Sequence, residues 1–120
     1  MKKIILDTNA LLAIGQFKID LFEELDRICL FKFKIYILDK SIDELNKIIK
    51  EQGGKDKAAA KLALGIVKNL DVLETGTGKV DDLLIKRSDM GDYVITQDKE
   101  LKKKIKHLIT IRKKKCLMFV

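Results

Sequence analysis

Histidine occurs once in these 120 residues and cysteine twice, while proline and tryptophan are absent. His107 has no partner at metal-ligand spacing and reads as a surface residue of a basic helix. Cys29 and Cys116 sit in apolar surroundings with no second ligand-like residue nearby, which predicts buried free thiols and argues against a disulfide or a zinc site. Such cysteines permit a reducing compartment without requiring one. No run approaches the roughly 18 apolar residues that a membrane span needs, and the N-terminus lacks an apolar signal segment followed by a small-residue cleavage site. The expectation is a cytoplasmic chain with no membrane partner. Lysine outnumbers arginine 22 to 3, a composition that leans towards a thermophile or an AT-rich genome and says nothing of function.

What the chain does have is ordinary globular material, 47% hydrophobic with few aromatics. Its length suits one domain spanning residues 1–120. The formal net charge of +7 is unevenly placed. Residues 99–120 hold nine Lys/Arg against one Glu, whereas the first 98 residues carry 16 basic and 17 acidic side chains. The basicity therefore belongs to the C-terminal fifth, and such a concentration favours a polyanionic partner, most simply a nucleic acid.

Periodicity predicts alternating strands and helices. Residues 2–7 read as a strand buried on both sides, because Ile4, Ile5 and Leu6 are consecutively apolar. Helical stretches follow over 10–14 and 19–31 with Gly15 as the break, then a strand over 34–38 and an amphipathic helix over 41–52 that stops at Gly53-Gly54. The Ala/Leu-rich stretch 56–70 is helical with Gly65 tolerated inside it. A short strand at 71–75, a loop at 76–79, a helix over 80–90, a buried strand at 92–96 and a strongly basic helix over 98–108 come next. Residues 109–120 close the chain as one strand or a hairpin around Arg112–Lys115. This alternation predicts an α/β fold, a three-layer α/β/α sandwich with a mostly parallel central sheet. In such folds ligands bind beyond the carboxyl ends of the strands, where strand order reverses.

Acidic residues stand beside four of those ends. Asp7 follows the first strand, Glu44 lies one turn into the helix after the second, Asp81 and Asp82 open the helix after the third, and Asp98 lies two residues past Thr96. Clustered carboxylates in a partly dry cleft repel one another until their pKa values rise or a cation joins them. With no His or Cys nearby, an all-oxygen site suits Mg²⁺ or Mn²⁺ better than zinc. Metal held by carboxylates can activate water and stabilise a phosphodiester attacked in line.

The stretches "ILDTNALL", "SIDEL", "VDDLLI" and "YVITQDKEL" resemble, in order and over nearly the whole chain, the motifs of the PIN-domain ribonucleases. Each is weak alone; four in sequence with the right strand-then-helix contexts are specific. The resemblance implies that Asp7, Glu44, Asp81 and Asp98 are the metal-binding, catalytic acids, with Thr8, Asn9 and Thr96 as their hydrogen-bonding supports. It implies cleavage of RNA with Mg²⁺ or Mn²⁺, leaving a 5′-phosphate and a 3′-hydroxyl. Asp81 and Asp82 compete for the third position, and Asp81 is preferred because Leu84 and Ile85 share its helical face; Asp82 is then a supporting neighbour. The ending "DKELKKKIK" looks more like archaeal relatives of ribosomal-RNA-processing PIN endonucleases than like toxins of VapBC toxin–antitoxin pairs. The toxin reading stays open. An antitoxin, a ribosome-assembly partner or a homodimer are the partners these readings imply, beside RNA itself.

Plainer readings compete at each position. Asp7, Thr8 and Asn9 suit helix caps, Asn9 in particular for a helix from Ala10. Ser41 to Glu44 is a capping box in its own right, and Asp98 can cap the basic helix. Asp89 and Asp92 are turn residues around Gly91. "TGTGKV" at 75–80 lacks the first glycine and the final hydroxyl of a phosphate loop. Lys102, Lys103, Lys104 and Lys106 suit either a solvated face or contact with an RNA backbone, and Arg112, Lys113, Lys114 and Lys115 suit either RNA contact or an ordinary hairpin turn. The rival of another class is a non-catalytic PIN-like RNA-binding or assembly module, against which all four acids count. A phosphoacceptor receiver domain wants an acidic pair near the first strand, and Lys2 and Lys3 offer none.

Overall fold

Ile4, Ile5 and Leu6 are fully buried, and successive side chains of a strand point to opposite faces, so this segment must be covered on both sides. In the computed structural model, which describes residues 1–120, β1 (Lys2–Leu6) is an inner strand of a six-stranded sheet. β2 (Phe33–Leu38) and β4 (Tyr93–Ile95) flank it, β3 (Asp71–Leu73) lies outside β2, and β5 (Leu108–Arg112) and β6 (Cys116–Phe119) lie outside β4. Every pairing is parallel except that of β5 with β6, which form the closing hairpin.

Helices cover both faces. Ile4 and Leu6 join a core with α1 (Thr8–Gln16), α2 (Leu21–Ile28), α3 (Asp39–Glu51) and α4 (Gly54–Val67). Ile5 points the other way, to Leu84 of α5 (Val80–Asp89), Leu101 of α6 (Lys99–Lys102) and Ile105. The three-layer, mostly parallel architecture is the one expected from the sequence. No helix is long and apolar enough to cross a membrane.

Several local expectations are corrected. Gly15 does not break a helix; it lies inside α1, where a Cβ would come within 3.0 Å of the Ala59 carbonyl oxygen and 3.3 Å of the Ala63 nitrogen. Its role is the close approach of α1 to α4. The helix after β2 starts at Asp39, two residues early, so Ser41 is not an N-cap but a buried residue of the first turn. Asn9 likewise lies inside α1, whose N-cap is Asp7. The basic helix over 98–108 shrinks to the four residues of α6, because the chain must come down the sheet far enough for Leu108 to pair with Val94. His107 accordingly sits in that connection, its ring against Tyr93 and its N–H donated to the Ser88 hydroxyl (2.8 Å). Both cysteines are free, but only Cys29 is buried and Cys116 is half-buried.

The sheet order positions the site. From β1 the chain builds outward through β2 and β3, then crosses back to β4 and builds the other way. The reversal falls between β1 and β4, where the crossovers leave a crevice at the carboxyl ends of the strands.

Candidate active site

Asp7 leaves β1 at this crevice. Its N–H continues the ladder to the Ile95 carbonyl (2.9 Å), and one carboxylate oxygen caps α1 by accepting the Thr8 N–H (2.9 Å). The other accepts the hydroxyl of Thr96, a fully buried residue at the end of β4 (2.8 Å). Asn9 accepts the Gln97 N–H (3.0 Å) and lies 3.4 Å from the same Thr96 hydroxyl. Thr96 in turn accepts the Asp98 N–H (3.2 Å). Two strand ends that never share a local sequence are thus tied through Thr96 and Asn9. Capping is real for Asp7, so the plain reading and the functional one describe the same atom group.

Asp98 also caps a helix, one oxygen accepting the N–H groups of Glu100 (2.9 Å) and Leu101 (3.0 Å). The capping-box reading of Glu44 fails, because Ser41 is already helical. Thr8 donates instead to Ser41 across 2.6 Å, which fastens the start of α1 to the start of α3 and brings Glu44 to Asp7.

The carboxylates sense one another. Burial raises the Asp7 carboxyl above its ordinary value, the Thr96 and Thr8 hydrogen bonds work against that shift, and the charges of Asp81 and Asp98 add to it. Glu44 is raised chiefly by burial and then by Asp7, with the Thr8 hydroxyl opposing. Of the pair at the start of α5, Asp81 is the one whose charge adds to the rise at Asp7; both side chains are exposed. The structure therefore brings Asp7, Glu44, Asp81 and Asp98 to one edge, with Asp82 beside Asp81 in the first turn of α5.

No three of these carboxylates stand close enough to enclose an ion in the present arrangement. In kind they suit a hard divalent cation, since every donor is oxygen and the charges of Asp81 and Asp98 add to what burial does at Asp7. A cavity of about 510 Å³ near Phe22, Phe33 and Asp71 lies at the opposite, amino edge and contains none of the acids.

Asp39 shows what an acid at a strand end looks like when its work is structural. It follows β2 as Asp7 follows β1, yet its carboxylate accepts the Thr75 N–H (3.0 Å), the Thr75 hydroxyl (2.5 Å) and the Lys40 N–H (2.8 Å), bonds that hold it below the ordinary carboxylate range. Asp39 is held low by its hydrogen bonds, whereas at Asp7 burial outweighs them. Sequence reasoning missed Ser41 and Gln97. Gln97 is a side-chain bridge: its Oε1 accepts the Thr110 hydroxyl (2.8 Å) and the Ile111 N–H (3.1 Å). The only signal in the sequence was its place between Thr96 and Asp98.

Comparison with known proteins agrees with this architecture. A family model described as a PIN-like domain matches residues 4–114. Ribonuclease VapC4 of Methanocaldococcus jannaschii is 33% identical over an alignment of 123 residues, covering 96% of this chain and 94% of the relative. Ribonuclease VapC9 of Archaeoglobus fulgidus is 33% identical over 103 residues, covering 85% of this chain and 74% of the relative. Among solved structures, the PIN domain endonuclease Utp24 matches with a TM-score of 0.72 at 25% identity, over 98% of this chain and 90% of that one. The chain, with its acids at the switch point of a parallel sheet, belongs to the PIN-like domain family.

Proposed function

We propose that residues 1–120 form one metal-dependent endoribonuclease domain. The observation that carries the reading is the raised Asp7 carboxyl, tied to Thr96 and crowded by Asp81 and Asp98, in a chain related to proteins named ribonucleases. Asp7 and Asp98 hold the principal Mg²⁺ or Mn²⁺, with Asp81 and Glu44 completing the set directly or through water. A bound divalent cation supplies positive charge to the phosphate under attack and eases ionisation of water. Glu44 takes the proton of the attacking water on its carboxylate, a role that the upward shift of its pKa favours. Thr8, Asn9 and Thr96 keep the strand ends from parting under the mutual repulsion. Within the C-terminal fifth, Lys102 to Lys106 and Arg112 to Lys115 are the two basic groups available to an RNA backbone.

The test is cleavage of a labelled structured RNA in Mg²⁺, Mn²⁺ or EDTA. Cutting is expected with metal and not with EDTA. Asp81→Asn should slow it about a hundredfold, whereas Asp82→Asn should stay within about twofold of the parent, in line with the cost of removing one electrostatic partner from an active site. Equal effects at the two positions would overturn the assignment. RNA that is bound and left intact in every metal would favour the binding or assembly module instead.

The relatives named ribonuclease VapC4 and VapC9 favour the toxin reading, with an antitoxin as partner, and the ending of the chain keeps the ribosomal RNA-processing reading, with an assembly partner, beside it. Induced expression separates them. Growth arrest that Asp7→Asn abolishes is the expected result for a toxin; unimpaired growth at equal expression favours RNA processing.

A further inference from the structure

The β5–β6 turn breaks a local rule. Lys115 donates its N–H to the Arg112 carbonyl across it (3.1 Å), and the two residues between, Lys113 and Lys114, have φ values of +53° and +57°. A two-residue turn with both central residues left-handed is the natural place for Asn-Gly, because an L side chain there crowds the backbone. Two adjacent lysines in that conformation point to a demand other than turn formation. Arg112, Lys113, Lys114 and Lys115 are all exposed, and no acid lies within ion-pair distance of any of them. Lys114 Nζ rests 5.4 Å from the centre of the Phe17 ring. The turn is therefore a cluster of four unneutralised cations held in a strained backbone.

Its place is as telling as its charge. Ile109 of β5 is in register with Ile95 of β4, and β5 runs three residues further before turning, so the turn stands beyond the same edge that carries Asp7 and Asp98. Gln97 couples the two. Its N–H goes to Asn9 (3.0 Å), and its side-chain oxygen takes the Thr110 hydroxyl and the Ile111 N–H at the base of the hairpin. The other basic group is placed differently. Lys103, Lys104 and Lys106 lie on the connection that descends from α6 to the start of β5, away from the acid edge, and Lys103 is paired with Glu100 (3.3 Å).

We propose that the Arg112–Lys115 turn is the grip for the phosphate backbone of RNA at the acid site, that Gln97 holds this grip in register with Asp7, and that the lysines after α6 lie outside the RNA path. The proposal rests on the ribonuclease reading for the identity of the strand being gripped. Gln97 is a positioning residue, acting through the hairpin.

The experiment uses Asp7→Asn protein, so that nothing is cut, and a labelled single-stranded oligouridine titrated at several salt concentrations. Lys113→Asn/Lys114→Gly removes two charges while giving the turn the residues its backbone prefers. It should weaken binding about tenfold at low salt and flatten the dependence of log affinity on log salt by about 1.4, two phosphates' worth for a single strand. Its melting temperature should hold or rise, which separates lost charge from lost folding. Lys104→Gln/Lys106→Gln removes the same charge and should change affinity less than about twofold. Gln97→Ala keeps every charge; it should weaken binding about fivefold, the worth of one hydrogen-bonded strut, with the salt slope unchanged. Binding that survives the turn variant, or falls equally in the Lys104/Lys106 variant, overturns the proposal. If the turn variant loses affinity while protein with Asp7 intact cuts no RNA in any divalent cation, the grip stands and the nuclease reading fails. If that protein cuts RNA and the turn variant binds unchanged, the nuclease reading stands and the grip fails.

Discussion

Asp7→Asn is expected to slow RNA cleavage about a thousandfold while raising the melting temperature of the metal-free protein, two changes that a simple packing defect would not combine. The loss follows from removing the negative charge around which Asp81, Asp98 and Glu44 gather, within the range for deleting a charged group from a reaction centre. The gain follows from the same residue's surroundings. Burial and the neighbouring charges disfavour the ionised form, so a neutral amide of equal size relieves the folded state. Asparagine caps helices about as well as aspartate, so the Thr8 N–H keeps an acceptor. The Thr96 hydroxyl has Asn9 within 3.4 Å as a second acceptor. Thermal unfolding in EDTA beside a cleavage assay checks both halves. An inactive variant that also melts earlier would place the effect in the fold, and a fully active one would remove Asp7 from the chemistry.

That conflict between folding and function bears on what could be read from the sequence. The parallel sheet was legible because Ile4-Ile5-Leu6 and Val94-Ile95 are buried on both faces, and only helices on both sides accomplish that. Asp7, Thr96 and Asp98 were legible because they stand at or just beyond strand ends. Helical face gave a preference for Asp81 over Asp82, and it is the charge of Asp81 that adds to the rise at Asp7.

What was not legible depends on partners distant in the chain. Ser41 looked like a cap because Ser three residues before Glu is a capping signal; its real partner is Thr8, 33 residues away. Gly15 looked like a helix breaker because helix propensity says nothing of the Ala59 carbonyl 3.0 Å from its missing Cβ. In the long basic helix expected over 98–108, Leu101, Ile105 and Leu108 fall at helical spacing. They do reach a common core, but after four helical residues the chain leaves the helix and reaches it through a turn and a strand. Spacing identified the buried positions and mistook the path between them. Gln97, polar and between two recognisable site residues, carried no pattern at all; its role appears only when β5 is laid beside β4.

The second large effect concerns pH and metal together. Asp7 and Glu44 ionise later in the folded chain than in the unfolded one, so between the unfolded carboxylate range and the raised values the folded protein holds the extra protons. The stability they contribute is whole below about pH 4, the unfolded range, and is lost as pH rises through their folded values. Asp39 behaves oppositely: its carboxyl is held low by Thr75, so its contribution is present above about pH 4 and is lost only as pH falls further, through its folded value. Metal-free protein should therefore lose stability as pH rises from the unfolded carboxylate range through the raised folded values, and Asp7→Asn combined with Glu44→Gln should flatten that decline. A cation that binds the folded carboxylates alone should counter the decline, and at about a hundred times its dissociation constant it adds roughly 2.7 kcal/mol. For a chain of this size that is a rise of roughly ten degrees in melting temperature. Thermal unfolding across pH, with EDTA and with Mn²⁺, measures both effects on one protein. A rise with Mn²⁺ that is absent from the double variant and larger at neutral than at acid pH is the expected result, because the ionised carboxylates that burial and mutual repulsion disfavour are the form that attracts the ion. An equal rise in the double variant would mean that the ion binds elsewhere and that these carboxylates are not its ligands.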